Sequence, residues 1–177
     1  GLEFRGLVNR LVEVASARYF GTPPPPQIGR SASPEQQVFQ FLTQRRDRIE
    51  HRLGEWARIA SPTYDPIGIQ AGVDELSKTM KELGMEVAAD LTDERAVWAW
   101  QTAKGFDEGT LLIGHLDVPI ERGMAPPVFR REPEWLFGEG IGVSRAPLVI
   151  MEYAVRSLRK LRRLRHLPIG ILYYTDE

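Results

Sequence analysis

The apolar positions between residues 3 and 20 fall at Phe4, Leu7, Val8, Leu11, Val12, Val14, Ala15 and Tyr19, the spacing of one buried stripe along an amphipathic helix. Gly21 ends it. The segment TPPPPQIGRSASP then breaks the pattern with five prolines, which build neither helix nor sheet and favour an extended spacer. Ser33, with Pro34 at a first helical position, opens a second periodic stretch. There Phe39, Phe41, Leu42, Ile49, Leu53, Trp56 and Ile59 predict one helix over 34–60.

SPTYDPIG reads as a loop, and a further helix is expected over 70–83, closed by Gly84. MEVAADLT suggests a short strand. AVWAWQTA is rich in strand-forming residues, KGFDEG is a turn, and TLLIGHLDV follows, so a β-hairpin is expected here. After a loop with Pro126, Pro127 and Pro133, WLFGEGIGVSRAP leads into a long helix over 147–166. LPIGILYYT is then a continuous apolar strand that ends in Asp176 and Glu177. Strands alternating with helices, with polar groups at strand ends, predict an α/β sheet whose site lies along one edge of the strands.

A length of 177 residues suits one ordinary domain plus an appendage. With 23 basic and 24 acidic side chains the chain has almost no net field, so nothing global points to nucleic acid or an acidic membrane. Cysteine is absent, which excludes thiolate zinc sites and cysteine nucleophiles and leaves His, Asp and Glu as metal ligands. No apolar run approaches the roughly 20 residues of a membrane span, and the first residues lack the apolar segment of a signal peptide. A cytoplasmic location is the expectation. The chain begins at Gly1 without a methionine and stops at Glu177 directly after an apolar run, so both ends are expected to be cuts through a longer polypeptide.

His115 and Asp117 stand two apart at the end of TLLIGHLDV, and positions i and i+2 of a strand project to the same side. A ligating imidazole commonly has a carboxylate behind its second nitrogen. The same spacing equally suits a surface His and Asp. In YYTDE the carboxylates again leave an apolar strand, where they read as a general base or ligand, or as a solvated turn. GEGIGVSR fails the dinucleotide fingerprint because Val143 stands at its third glycine. It is expected to be a strand-to-helix turn with Ser144 capping the helix. Within RSLRKLRRLRH, Val155, Leu158, Leu161 and Leu164 recur at helical spacing, which makes the arginines an outward, solvated face suited to the end of a helix.

Taken in order, LLIGHLDVP, the loop with Phe129, WLFGEGIGVSR opening a long helix, and ILYYTDE resemble the dinuclear zinc metallopeptidases and aminoacylases. That family includes acetylornithine deacetylase, succinyl-diaminopimelate desuccinylase and glutamate carboxypeptidase. The resemblance covers about residues 35–177, the first half of the family's catalytic domain. It implies an α/β fold, a three-layer zinc-exopeptidase-like sheet flanked by helices, truncated here. It also implies that His115 is a zinc ligand supported by Asp117 and that Glu177 is the general base, the next ligand falling one residue past the end. In the family an aspartate bridges the two metals three residues after the second glycine; that position is Val143, with the basic residue two places on kept as Arg145. The implied cofactor is zinc, one ion or two, and valine cannot bridge the second.

The implied activity is hydrolysis of an amide in a small amino-acid derivative or peptide. The alternative is an inactive peptidase-like module retained for binding or scaffolding. GLEFRGLVNRLVEVASARYF is separately similar to the closing helix of D-alanine:D-alanine ligase-type ATP-grasp enzymes, which suggests a fused ligase as partner. The implied organisation is 1–21 as the terminal helix of a preceding domain, 22–33 as linker, and 34–177 as the first part of a metallopeptidase-like domain.

Overall fold

The computed structural model describes residues 32–93, 96–124 and 128–176. The ligase-like helix, nearly all of the proline linker and Glu177 lie outside the described residues.

Helix α1, Pro34–Thr43, starts at a reciprocal cap: the Gln36 amide donates to Ser33 Oγ at 3.3 Å and the Ser33 amide donates to Gln36 Oε1 at 2.9 Å. The single helix expected over 34–60 is broken. Arg45 leaves the helical conformation at φ −115° and ψ 14°, and α2 runs from Arg46 to Ala57. Between Leu42 and Ile49 there is no apolar residue to bury, so the backbone turns and each half aims its own stripe at the core. Helix α3, Pro66–Leu83, begins four residues before the expected start because Asp65 accepts the Ile67 amide and Pro66 follows it. It closes at Gly84, φ 79°, as the sequence predicts.

Four strands, β1 Glu86–Val87, β2 Val97–Gln101, β3 Thr110–His115 and β6 Ile169–Tyr174, form a sheet in the order β1-β2-β6-β3. Two-residue strands β4, Arg130–Arg131, and β5, Leu136–Phe137, pair separately. The expected β2–β3 hairpin does not form: β6 lies between them, antiparallel to β2 and parallel to β3. Burial explains the order. Ile171 and Tyr173 of β6 are both 0% exposed, whereas β3 has Leu111 and Ile113 open to solvent on alternate positions. The fully apolar strand takes the centre and the alternating one the edge. The parallel pairing is made possible by the crossover through α4, Ala146–Lys160.

One face of the sheet carries Trp98, Trp100, Leu112, Ile171 and Tyr173 into a single apolar core with Leu42, Trp56, Leu76, Met80 and Leu148. Trp100 meets Tyr173 edge-on, with ring centroids 6.4 Å apart. Burial pushes the Tyr173 phenol above its ordinary range, and its hydroxyl donates to Met151 Sδ at 3.9 Å.

Helices α2, α3 and α4 are tied by ions as well as by apolar contact. Arg52 donates from Nε to the buried Glu152 at 2.9 Å, from Nη1 to Glu75 at 2.6 Å and from Nη2 to Thr79 at 2.8 Å. Burial opposes the Arg52 charge, yet its carboxylate partners hold the guanidinium above its ordinary range. Arg156 donates to the other Glu152 oxygen at 2.7 Å. The basic run that begins in α4 is therefore outward-facing only in part: Arg156 belongs to this network, while Arg159 and Lys160 at the end of the helix and Arg163 beyond it are exposed.

Candidate functional site

Strand β3 delivers His115 beside Tyr174 of β6, in register with it, and the chain then continues through Leu116 and Asp117. The two rings lie 6.1 Å apart, tilted by 41°. Nδ1 of His115 is 3.1 Å from the Asp117 main-chain oxygen and 3.6 Å from Asp117 Oδ1. Both are acceptors, so Nδ1 is the nitrogen that donates to Asp117 and Nε2 is the one turned away from it. No described residue bonds to Nε2. Asp117 is 0% exposed and is fixed from two sides: Thr63 Oγ1 donates to Oδ2 at 2.7 Å and the Asp176 amide donates to it at 3.1 Å.

The two strand ends singled out in the sequence thus meet, through the Asp117–Asp176 bond. Asp176 itself is held at φ 86°, a left-handed backbone that costs a residue with a side chain and that concentrates at functional sites. Glu177, the expected general base, lies outside the described residues.

The GEGIGVSR segment reaches the same place from below. Gly140 sits at φ 61°, and its carbonyl accepts three successive amides, from Val143, Ser144 and Arg145, at 3.1, 3.0 and 2.9 Å. This wide turn over Ile141–Arg145 replaces the expected Ser144 cap: α4 has no side-chain cap, and Ser144 Oγ is buried without a hydrogen-bond partner among the described residues. Ser144 is 1% exposed, so its hydroxyl is enclosed by the wide turn and does not face solvent. Val143 is 54% exposed on this turn. A Cβ on Gly140 would lie 2.7 Å from Val118 Cγ2 and would force the left-handed backbone on an alanine. Gly140→Ala is therefore expected to lower stability by about 1–3 kcal/mol, read as a lower urea midpoint with unchanged slope.

Beneath His115 and Asp117 lies an anchor built on Arg145, a residue that the motif reading noted without giving it this role. Arg145, 0% exposed, donates to the Leu116 carbonyl at 3.0 Å, the Ile59 carbonyl at 2.7 Å and Ser61 Oγ at 2.8 Å. Ser61 Oγ donates to the same Leu116 carbonyl at 2.9 Å. Glu139 Oε1 accepts the Ser61 amide at 3.0 Å and is 3.7 Å from Arg145. Burial lowers the Arg145 guanidinium to about 10, against the pull of Glu139 and Asp117. It remains protonated at neutral pH. The signals in the sequence were Arg145, the basic residue two places after Val143, and Glu139, a carboxylate between two glycines in an otherwise apolar turn.

One zinc ligand position fits these residues: an imidazole with a free Nε2 and a buried carboxylate behind it. No group of three or more His, Asp or Glu close enough to hold a metal occurs among the described residues, so they do not close a metal site. No helix among the described residues is long and apolar enough to cross a membrane.

The chain matches no protein-family model and no curated protein. Its fold is similar to that of human carnosine dipeptidase 1, with a TM-score of 0.65 and 24% identity over 78% of this chain and 34% of that one. It is also similar to the dipeptidase Dug1p from Saccharomyces cerevisiae, with a TM-score of 0.53 and 14% identity over 78% of this chain and 33% of that one. The described residues therefore share the α/β fold of part of these two dipeptidases, a mixed sheet flanked by helices. The chain spans about a third of the length of both dipeptidases.

Proposed function

We propose that this chain is part of a zinc-dependent amide hydrolase that acts on a small amino-acid derivative or dipeptide, with His115 as a metal ligand. The observation that carries the reading is the orientation of His115. Its Nδ1 faces Asp117, and Asp117 is clamped by Thr63 and Asp176, an investment in holding one imidazole that a surface pair does not need. The likeness in fold to two dipeptidases supports the substrate class. Zinc, when bound, would supply Lewis-acid polarisation of an amide carbonyl; the residues of this chain orient the ligand and shield it from below.

Val143 favours a second reading, an inactive peptidase-like module that binds rather than cleaves, with the ligase-like segment before residue 22 as its fused partner. Its exposed isopropyl group offers no oxygen to a second ion. Equilibrium dialysis of the intact protein at neutral pH distinguishes the readings together with a panel of N-acyl amino acids and dipeptides. One equivalent of zinc is expected, abolished by His115→Ala, and no second equivalent from Val143→Asp alone. Retained zinc without hydrolysis supports the binding module. Absence of stoichiometric zinc from the unsubstituted protein sinks the metal reading altogether.

A further inference from the structure

A groove of about 460 Å³ opens at the other end of the sheet, lined by Arg159, Arg162 and Arg165 over a floor that includes Leu83, Leu164 and Thr102. Thr102 fixes its position at the start of β6, where its amide donates to Ile169 at 2.9 Å and its hydroxyl to Leu167 at 2.7 Å. His115 faces Tyr174 at the far end of that strand, about five residue steps away, roughly 17 Å at strand spacing. The groove is thus separate from the candidate zinc ligand.

The lining holds three guanidinium groups and no carboxylate among the described residues. The nearest acidic residue in sequence to its floor, Glu82, is otherwise engaged: its side chain is 3.8 Å from Arg156 Nη2, and its carbonyl accepts from Arg159 Nη1. In a chain with net charge −1 this is a local concentration of one sign.

A structural explanation covers Arg159, which satisfies a carbonyl at the end of α3, and it covers basic residues near a helix C-terminus in general. It does not cover Arg162. That residue sits at φ 59° just past the end of α4, where its amide donates to Arg159 and the next amide donates to Leu158, both at 2.9 Å. Glycine closes such a turn without strain. Holding an arginine there costs stability and places a guanidinium on the groove.

We infer that this groove is an anion site for a small phosphorylated molecule. A guanidinium presents a planar fork of donors that matches phosphate oxygens in pairs. Three of them, from the end of α4, the turn after it and the short 3-10 helix Leu164–His166, suit an anion with several clustered oxygens, whereas a single carboxylate would engage only one. Arg165 donates from Nε to His166 Nε2 at 2.9 Å and keeps its terminal nitrogens for the groove. The buried Leu83 and Leu164 give the uncharged part of such a ligand an apolar floor.

Titration of the intact protein with inorganic pyrophosphate at low ionic strength, followed by calorimetry, is expected to show saturable binding that weakens as salt rises. Arg162→Gly is expected to weaken binding by at least about tenfold while its thermal midpoint stays level or rises. Arg165→Gln, whose exposed side chain lies outside the turn, is expected to weaken binding in the same direction. No saturable binding by the unsubstituted protein, undiminished binding by Arg162→Gly and Arg165→Gln, or equally tight binding of citrate would each overturn the assignment.

Discussion

Arg145→Ala is expected to lower the unfolding free energy by about 3–5 kcal/mol, measured by urea denaturation followed by circular dichroism. The magnitude follows from what the guanidinium holds. It bridges the loop at Ile59 and Ser61 to the Leu116 carbonyl, between the two motif residues of β3's exit, and it neutralises the buried Glu139. Alanine leaves the Ile59 carbonyl without this donor and strands a carboxylate that is 1% exposed. Glu139 already has one oxygen, Oε2, with no hydrogen-bond partner among the described residues, so it has little else to turn to.

The charged pair is not itself a source of great stability. Burial lowers the Arg145 guanidinium to about 10, which means that the folded state pays to keep it charged. Removing both charges together is therefore expected to cost less than the sum of the single losses. Glu139→Gln with Arg145→Met should show a coupling of about 1–3 kcal/mol in a double-mutant cycle. Strict additivity would mean that the two groups do not sense each other across 3.7 Å.

The sequence displays some of this site and hides the rest, for a physical reason. A strand ending in His-x-Asp, and a second apolar strand ending in acids, are local patterns, and their parallel pairing through a long helix follows from connection rules. The hairpin reading of β2 and β3 failed because adjacency in sequence competes with burial, and β6 has the stronger claim to the centre. The helix over 34–60 broke because its periodicity spans a polar gap that no local rule weighs. The anchor is non-local altogether. Ser61 reaches Leu116 across 55 positions, and Arg145 reaches Ile59 across 86. A serine in SPTYDP and an arginine before a helix carry no mark of partners so far away. Val143 stands out only against the family pattern that the motifs resemble, and nothing in its own surroundings marks the position.

Asp117→Ala is expected to produce the largest change at the candidate ligand itself: a loss of about 1–3 kcal/mol for each buried donor left unsatisfied, and zinc affinity reduced about 10–100-fold. Thr63 Oγ1 and the Asp176 amide both point at the carboxylate oxygen that would vanish. A fall in affinity alone does not separate orientation of His115 from general loosening, and Asp117→Asn does. The amide oxygen still accepts from Thr63 and Asp176, so most of the stability should return, measured by urea denaturation. The negative charge behind the imidazole does not return, and its second oxygen becomes a donor facing the Nδ1 proton, 3.6 Å away in the parent. Zinc affinity of Asp117→Asn, measured by competition with a chromophoric chelator at a temperature where it is folded, should therefore remain about tenfold down. If Asn restores affinity together with stability, Asp117 serves only to pack the strand exit, and His115 owes its orientation to the Asp117 main-chain oxygen alone.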